Sequence, residues 1–124
     1  MSPHSDSSVV GDLRVMVYVE DLNRARHFYG TIIGWPVLKD FGDGVMFEAG
    51  AKKVVEIFDV KEHEGAVNAA STVLSLEVTD VRVLHVRLQD RGASPLRHND
   101  WGDTSFFMYG PEQEKLIFFT RDKK

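Results

Sequence analysis

The feature that most limits how this chain can fold is a strand–helix unit that occurs twice. In "LRVMVYVEDLNRARHFYGTIIG" (residues 13–34), Leu13, Val15, Val17 and Val19 alternate with Arg14, Met16, Tyr18 and Glu20. A period of two is the pattern of a strand with two unlike faces. Asp21 stands where an N-cap accepts a hydrogen bond from the first free N–H groups of a helix. Leu22, Ala25, Phe28, Tyr29, Ile32 and Ile33 then recur at helical spacing, with Asn23, Arg24, Arg26 and His27 on the other side. Gly34 suits the left-handed residue that closes a helix, and Pro36 opposes continuation.

The second copy is "TVLSLEVTDVRVLHVRLQDRG" (residues 72–92). Leu74, Leu76 and Val78 alternate with Ser75 and Glu77, Asp80 takes the place of Asp21, and Gly92 that of Gly34. Val81, Leu84 and Leu88 form the helical stripe. Three short β-like runs follow each helix: "WPVLKDF", "GVMFEAG" and "KKVVEIFDV" in the first half, "ASPLRHN", "DTSFFMYG" and "EKLIFFTR" in the second. Internal similarity of this kind reflects architecture. It predicts an α+β fold of tandem βαβββ modules.

A chain of 124 residues can bury a core as one domain. The expected organisation is a flexible N-terminal arm over 1–11 and a single domain over 12–121. Its modules span 12–60 and 72–121, with a linker, 61–71, around "KEHEGAVNAAS". A formal charge of -4 without a Lys/Arg cluster opposes nucleic acid or an anionic membrane as partner. No apolar run is long enough to span a bilayer. The Ser-rich start lacks the basic-then-apolar order of a secretion signal, so a cytoplasmic location is expected. The absence of cysteine removes disulfides, thiolate metal sites and a cysteine nucleophile.

The paired units, with "VEDLNRARHFYGTIIGW" in the first and "WGDTSFFMYGPEQEKLIFF" in the second, resemble the vicinal oxygen chelate superfamily. Its members include glyoxalase I, extradiol dioxygenases and bleomycin-resistance proteins. Trp101, Gly102, Phe106 and Pro111 match its late-chain pattern. Gly110, Glu112, Gln113 and Glu114 replace the usual Asp, Asp, Gly and Asn at the turn. The resemblance covers roughly residues 12–121. It implies a curved, open, barrel-like sheet with helices outside. It also implies a metal centre ligated from the first and last strand of each module. Those positions fall on Arg14, Glu56, Val73 and Ile117. A guanidinium has no lone pair to give, and neither does an aliphatic side chain. His4, His27, His63, His85 and His98 have no local ligand-pair spacing. The expectation is no metal and no cofactor.

Strand parity turns Arg14, Met16, Tyr18, Val54, Glu56, Phe58, Val73, Ser75, Glu77, Phe107, Tyr109, Ile117 and Phe119 toward the concave side. Trp35 and Trp101, near strand ends, are expected to rim it. The expected ligand-binding set is Arg14, Met16, Trp35, Glu56, Phe58, Ser75, Trp101, Phe107, Tyr109 and Ile117, with Arg14 and Glu56 hydrogen-bonded to each other.

Besides a dimerising module without a small ligand, two functions stay open. One is a metal-independent small-molecule binder, akin to the bleomycin-resistance branch, that sequesters an aromatic antibiotic or metabolite. The other is a lyase, isomerase or dioxygenase-like enzyme acting on a small carbonyl or anionic substrate. In that case Glu56 would be the general base and Arg14 would steady an oxyanion. Exposed sheet edges and an open apolar cup predict a homodimer in either case.

Overall fold

The computed structural model describes residues 7–62 and 72–122. The His4 and His63 positions and most of the expected arm and linker lie outside them. Strand β1 (Leu13–Val19) leads into helix α1 (Leu22–His27), followed by β2 (Val37–Asp40), β3 (Gly44–Gly50) and β4 (Lys53–Asp59). The second module repeats this order with β5 (Val73–Glu77), α2 (Val81–Leu88), β6 (Arg97–Asn99), β7 (Asp103–Tyr109) and β8 (Lys115–Arg121). The sheets have matching strand orders, β1-β4-β3-β2 and β5-β8-β7-β6. In each, the first strand runs parallel to the last and the remaining pairs are antiparallel. The sheets curve without closing into a barrel.

Both helix starts are made by the aspartates the sequence marks. Asp21 accepts from the Arg24 amide at 3.1 Å, and Asp80 from the amides of Arg82 and Val83. Gly34 and Gly92 close the helical segments at φ 91° and 95°, a conformation that penalises any residue with a Cβ. One element departs from the regular helix expected over the first stripe. From Phe28 to Ile33 the turn widens to a π-helix, and the Gly34 and Trp35 amides both donate to the Tyr29 carbonyl. Phe28, Tyr29 and Ile33 are all buried on this wider turn.

Parity sorts the sheet residues as the alternation predicts. Val17, Val19, Val45, Phe47, Val55 and Ile57 pack under the helices with Ala25 and Tyr29, in the same core as Leu74, Phe106, Met108, Leu116 and Phe118. The two modules therefore share one core within one chain.

Polar bonds between the modules reinforce it. Arg87 of α2 donates to the carbonyls of Ile32 and Ile33 at 2.8 and 2.9 Å, satisfying acceptors that a helix end leaves free. In the β7–β8 turn, the Glu112 carboxylate accepts from the amides of Glu20 and Asp21 at 2.7–2.8 Å. Glu114, 0% exposed, accepts from the Tyr29 hydroxyl at 2.8 Å and from the Glu112 amide at 2.9 Å. The turn's departure from the family pattern is thus a structural device: two carboxylates hold the β1–α1 corner and the helix behind it.

Burial, followed by the charge and hydrogen bond of Glu114 and the charge of Glu112, holds the Tyr29 phenol far above its usual range. An unfolded chain releases this proton near pH ~10 while the folded chain keeps it. The stability it contributes is complete below that pH and falls as pH rises above it, by up to about 1.4 kcal/mol per pH unit. Tyr29→Phe should cost about 1–3 kcal/mol at neutral pH, because it removes a donor from a buried carboxylate. Urea unfolding at pH 8 and at pH 11 should show the gap between wild type and Tyr29→Phe narrowing at the higher pH. A constant gap would show that this phenol carries no such linkage.

Candidate functional site

On the first module, β1 and β4 pair in parallel with Arg14 beside Val54, Met16 beside Glu56 and Tyr18 beside Phe58. These residues share the face turned away from the helices. Phe58 is buried there against Phe41, ring centroids 5.8 Å apart, and beside Tyr18 at 6.5 Å. Met16 is exposed.

Arg14 and Glu56 meet with Nη1 and Oε1 4.0 Å apart, an ion pair beyond hydrogen-bond length. The direct hydrogen bond expected from the sequence is therefore not made. The guanidinium side chain is 56% exposed and the carboxylate side chain 10%. Arg14 sits on β1, the edge strand of its sheet, with a neighbour on one side only, so it stays in solvent.

On the second module, Phe107 and Ile117 are directly paired across β7 and β8. Together with Trp101 they line a cavity of about 670 Å³, whose walls include Leu96, Arg97, Asn99, Ser105 and Lys115. The Lys115 ammonium lies 4.5 Å from the Phe107 ring centroid, within cation–π range. Trp101 is 75% exposed, and its indole N–H donates to Asp103 at 2.8 Å. Asn99, buried, donates to Asp103 and to Ser105. These bonds fix the rim of the cavity.

The other expected residues lie elsewhere. Trp35 does not rim this cavity. It stacks on buried Tyr29, centroids 5.6 Å apart and planes 18° apart. With Ser75 it borders a smaller cavity of about 250 Å³ between the β1 and β5 edges. Tyr109 meets Phe107 edge-on at 5.7 Å but lines a different cleft, beside α1. The trough read from parity is thus divided: Trp101, Phe107 and Ile117 converge, while Arg14, Met16, Glu56 and Phe58 form a separate surface on the other module.

Ser105 and Lys115 were not singled out, although the same alternation that gives Phe107 and Ile117 would have found them. Leu96, Arg97 and Asn99 come from a three-residue strand and the loop before it, too short to carry a periodic signal.

The four family ligand positions do not fit a metal. Glu56 can donate, but Arg14 beside it is a fixed cation, and Val73 and Ile117 have no lone pairs. Among the described residues no three His, Asp or Glu side chains converge. His85 donates from Nε2 to the Ser94 carbonyl, 2.8 Å away, and His98 pairs with Asp122 at 3.2 Å.

Two βαβββ modules, each ordered with its first strand against its last, define a protein of the glyoxalase, bleomycin-resistance and dioxygenase superfamily. Residues 13–117 match the family model of the glyoxalase-like domain, and the chain belongs to that family. No curated protein matches the sequence. Among solved structures, it is similar to a lactoylglutathione lyase from Agrobacterium tumefaciens, with TM-score 0.74 and 20% identity over 92% of this chain and 93% of that one. TioX from Micromonospora sp. ML1 superposes with TM-score 0.77 and 18% identity, over 90% and 99% of the two chains. TnmS3, an antibiotic binding protein from Streptomyces sp. CB03234, gives 0.73 and 20%, over 93% and 98%. At such identities the likeness concerns the fold. The same fold serves a lyase and an antibiotic binder.

Because Arg14 is largely in water, its pairing with Glu56 is screened. Urea titration should place Arg14→Ala within about 1 kcal/mol of wild type. A loss of about 3 kcal/mol or more would mean that the pair is sealed from solvent.

Proposed function

We propose that the protein is a metal-independent binder of a small aromatic molecule. The observation that carries this reading is the convergence of Trp101, Phe107 and Ile117 on one cavity of about 670 Å³, the size and lining of a small-ligand site. Flat rings gain most from such walls, by stacking and edge contact. Among the described residues, the charged ones lining it are Arg97 and Lys115, with no carboxylate. A ligand bearing carbonyl oxygens or a negative charge therefore suits the cavity better than a cationic one. Structural neighbours that include an antibiotic binding protein support the mode of action, and the cavity's lining supports the class of ligand.

The binder acts as a cytoplasmic homodimer in this reading. Met16, Val73, Phe107 and Tyr109 leave apolar surface on the faces turned from the helices. A second copy would cover it and close the clefts. No helix among the described residues is long and apolar enough to cross a membrane. The enzymatic alternative rests on Glu56, a buried carboxylate beside a cation on the first module. It would act as general base on a small carbonyl substrate.

A thermal-shift screen of planar aromatic antibiotics and small carbonyl acids separates the two readings. The expected result is a shift without turnover, lost in Phe107→Ala and Trp101→Ala and retained in Glu56→Gln. Alanine at either ring should weaken binding by about 1–3 kcal/mol. Sedimentation should give twice the chain mass at micromolar concentration. Turnover that Glu56→Gln abolishes would replace binding by catalysis, and a monomer would remove the dimer.

A further inference from the structure

A second cleft lies away from the Trp101 cavity, where α1 meets the end of β7 and the segment after α2. It encloses about 630 Å³. Arg24 and His27 enter it from α1, and Arg91 from the turn that follows α2. Phe28, Ile32 and Tyr109 supply an apolar floor and side. The two modules build it jointly.

The charges here are unbalanced. Arg26 and Arg121 reach carboxylates, Arg14 pairs with Glu56, Arg82 donates to Thr104, and Arg87 donates to main-chain carbonyls. Arg24 and Arg91 have no such side-chain partner among the described residues. The nearby acids are already engaged. Asp21 caps α1 through the Arg24 amide, and Glu112, next to Pro111, is turned to the Glu20 and Asp21 amides. Those two amides are therefore occupied, and the Arg24, Arg91 and His27 side chains bring donors to the cleft. Two cations lining one cleft repel, and an incoming anion relieves that repulsion. Guanidinium groups present paired N–H donors that match phosphate or carboxylate oxygens.

We infer that this cleft is a second binding site, for an organic phosphate monoester. Two fixed charges and an imidazole suit a group that carries nearly two negative charges at neutral pH. The Phe28, Ile32 and Tyr109 surface takes the organic substituent, which inorganic phosphate lacks.

Amide NMR titration of the full chain tests this with phenyl phosphate, inorganic phosphate and neutral phenylacetamide. Phenyl phosphate should move the Arg24, His27 and Gly110 signals and leave those of Trp101 and Phe107 in place. Inorganic phosphate should move the same signals only at roughly tenfold higher concentration, and phenylacetamide should not move them. Replacing both arginines of the cleft, Arg24→Ala with Arg91→Ala, should weaken phenyl phosphate at least about tenfold, while Lys61→Ala, a single charge loss elsewhere, changes nothing. An unchanged amide spectrum apart from local signals would confirm that the double variant is folded. Equal affinity for phenylacetamide, or unchanged affinity in the folded double variant, would overturn the site. So would an equal loss in Lys61→Ala or shifts confined to the Trp101 cavity. Equal affinity for inorganic phosphate would overturn the ester and leave a simple anion contact.

Discussion

The β7–β8 turn is the joint on which the rest of this molecule depends. Two half-sheets of four strands each have exposed edges and one apolar face, and neither half encloses a core of useful size alone. They become one body because Glu112 gathers the amides of Glu20 and Asp21 while Glu114 takes the hydroxyl of Tyr29. These are charge-assisted bonds, some of them buried, where a missing partner is costly. Tyr29 in turn carries Trp35 on its ring and lies among Phe28 and Phe47. A single turn of the second module thereby sets the position of the first helix, and with it the cleft between them.

The two modules, alike in topology, carry different side chains on the face turned from the helices. On the first module Phe41 stacks on Phe58, and Arg14 and Glu56 form an ion pair. The second leaves Phe107 and Trp101 available and places two cations near them. At the positions where relatives hold a metal, one acid remains.

Much of that frame was legible in the sequence. Strand alternation from Leu13 to Val19 and from Val73 to Val78, the two aspartate caps and the two closing glycines each carry a local physical signal. The structure places them where that signal says. The π-turn over Phe28–Ile33 was not legible, because an apolar stripe at helical spacing does not separate it from a regular helix. Trp35 was misplaced for a related reason. Proximity to a strand end suggests a rim, but stacking on a buried ring decides where the indole goes. Parity gave the right face for Phe107, Tyr109 and Ile117 but could not show that the twist of the sheet and the short β6 divide that face among separate cavities. Arg14 and Glu56 share a face as their alternation implies. Their 4.0 Å separation depends on the freedom of an edge-strand side chain, which no pattern encodes.

Elemental analysis of the untreated protein, followed by calorimetric titration with zinc, manganese and iron(II), tests most directly the claim that this chain binds without a metal. The account predicts substoichiometric metal in the purified protein and heats no larger than dilution for each ion. One tightly held equivalent of any of them, lost on Glu56→Gln, would contradict it.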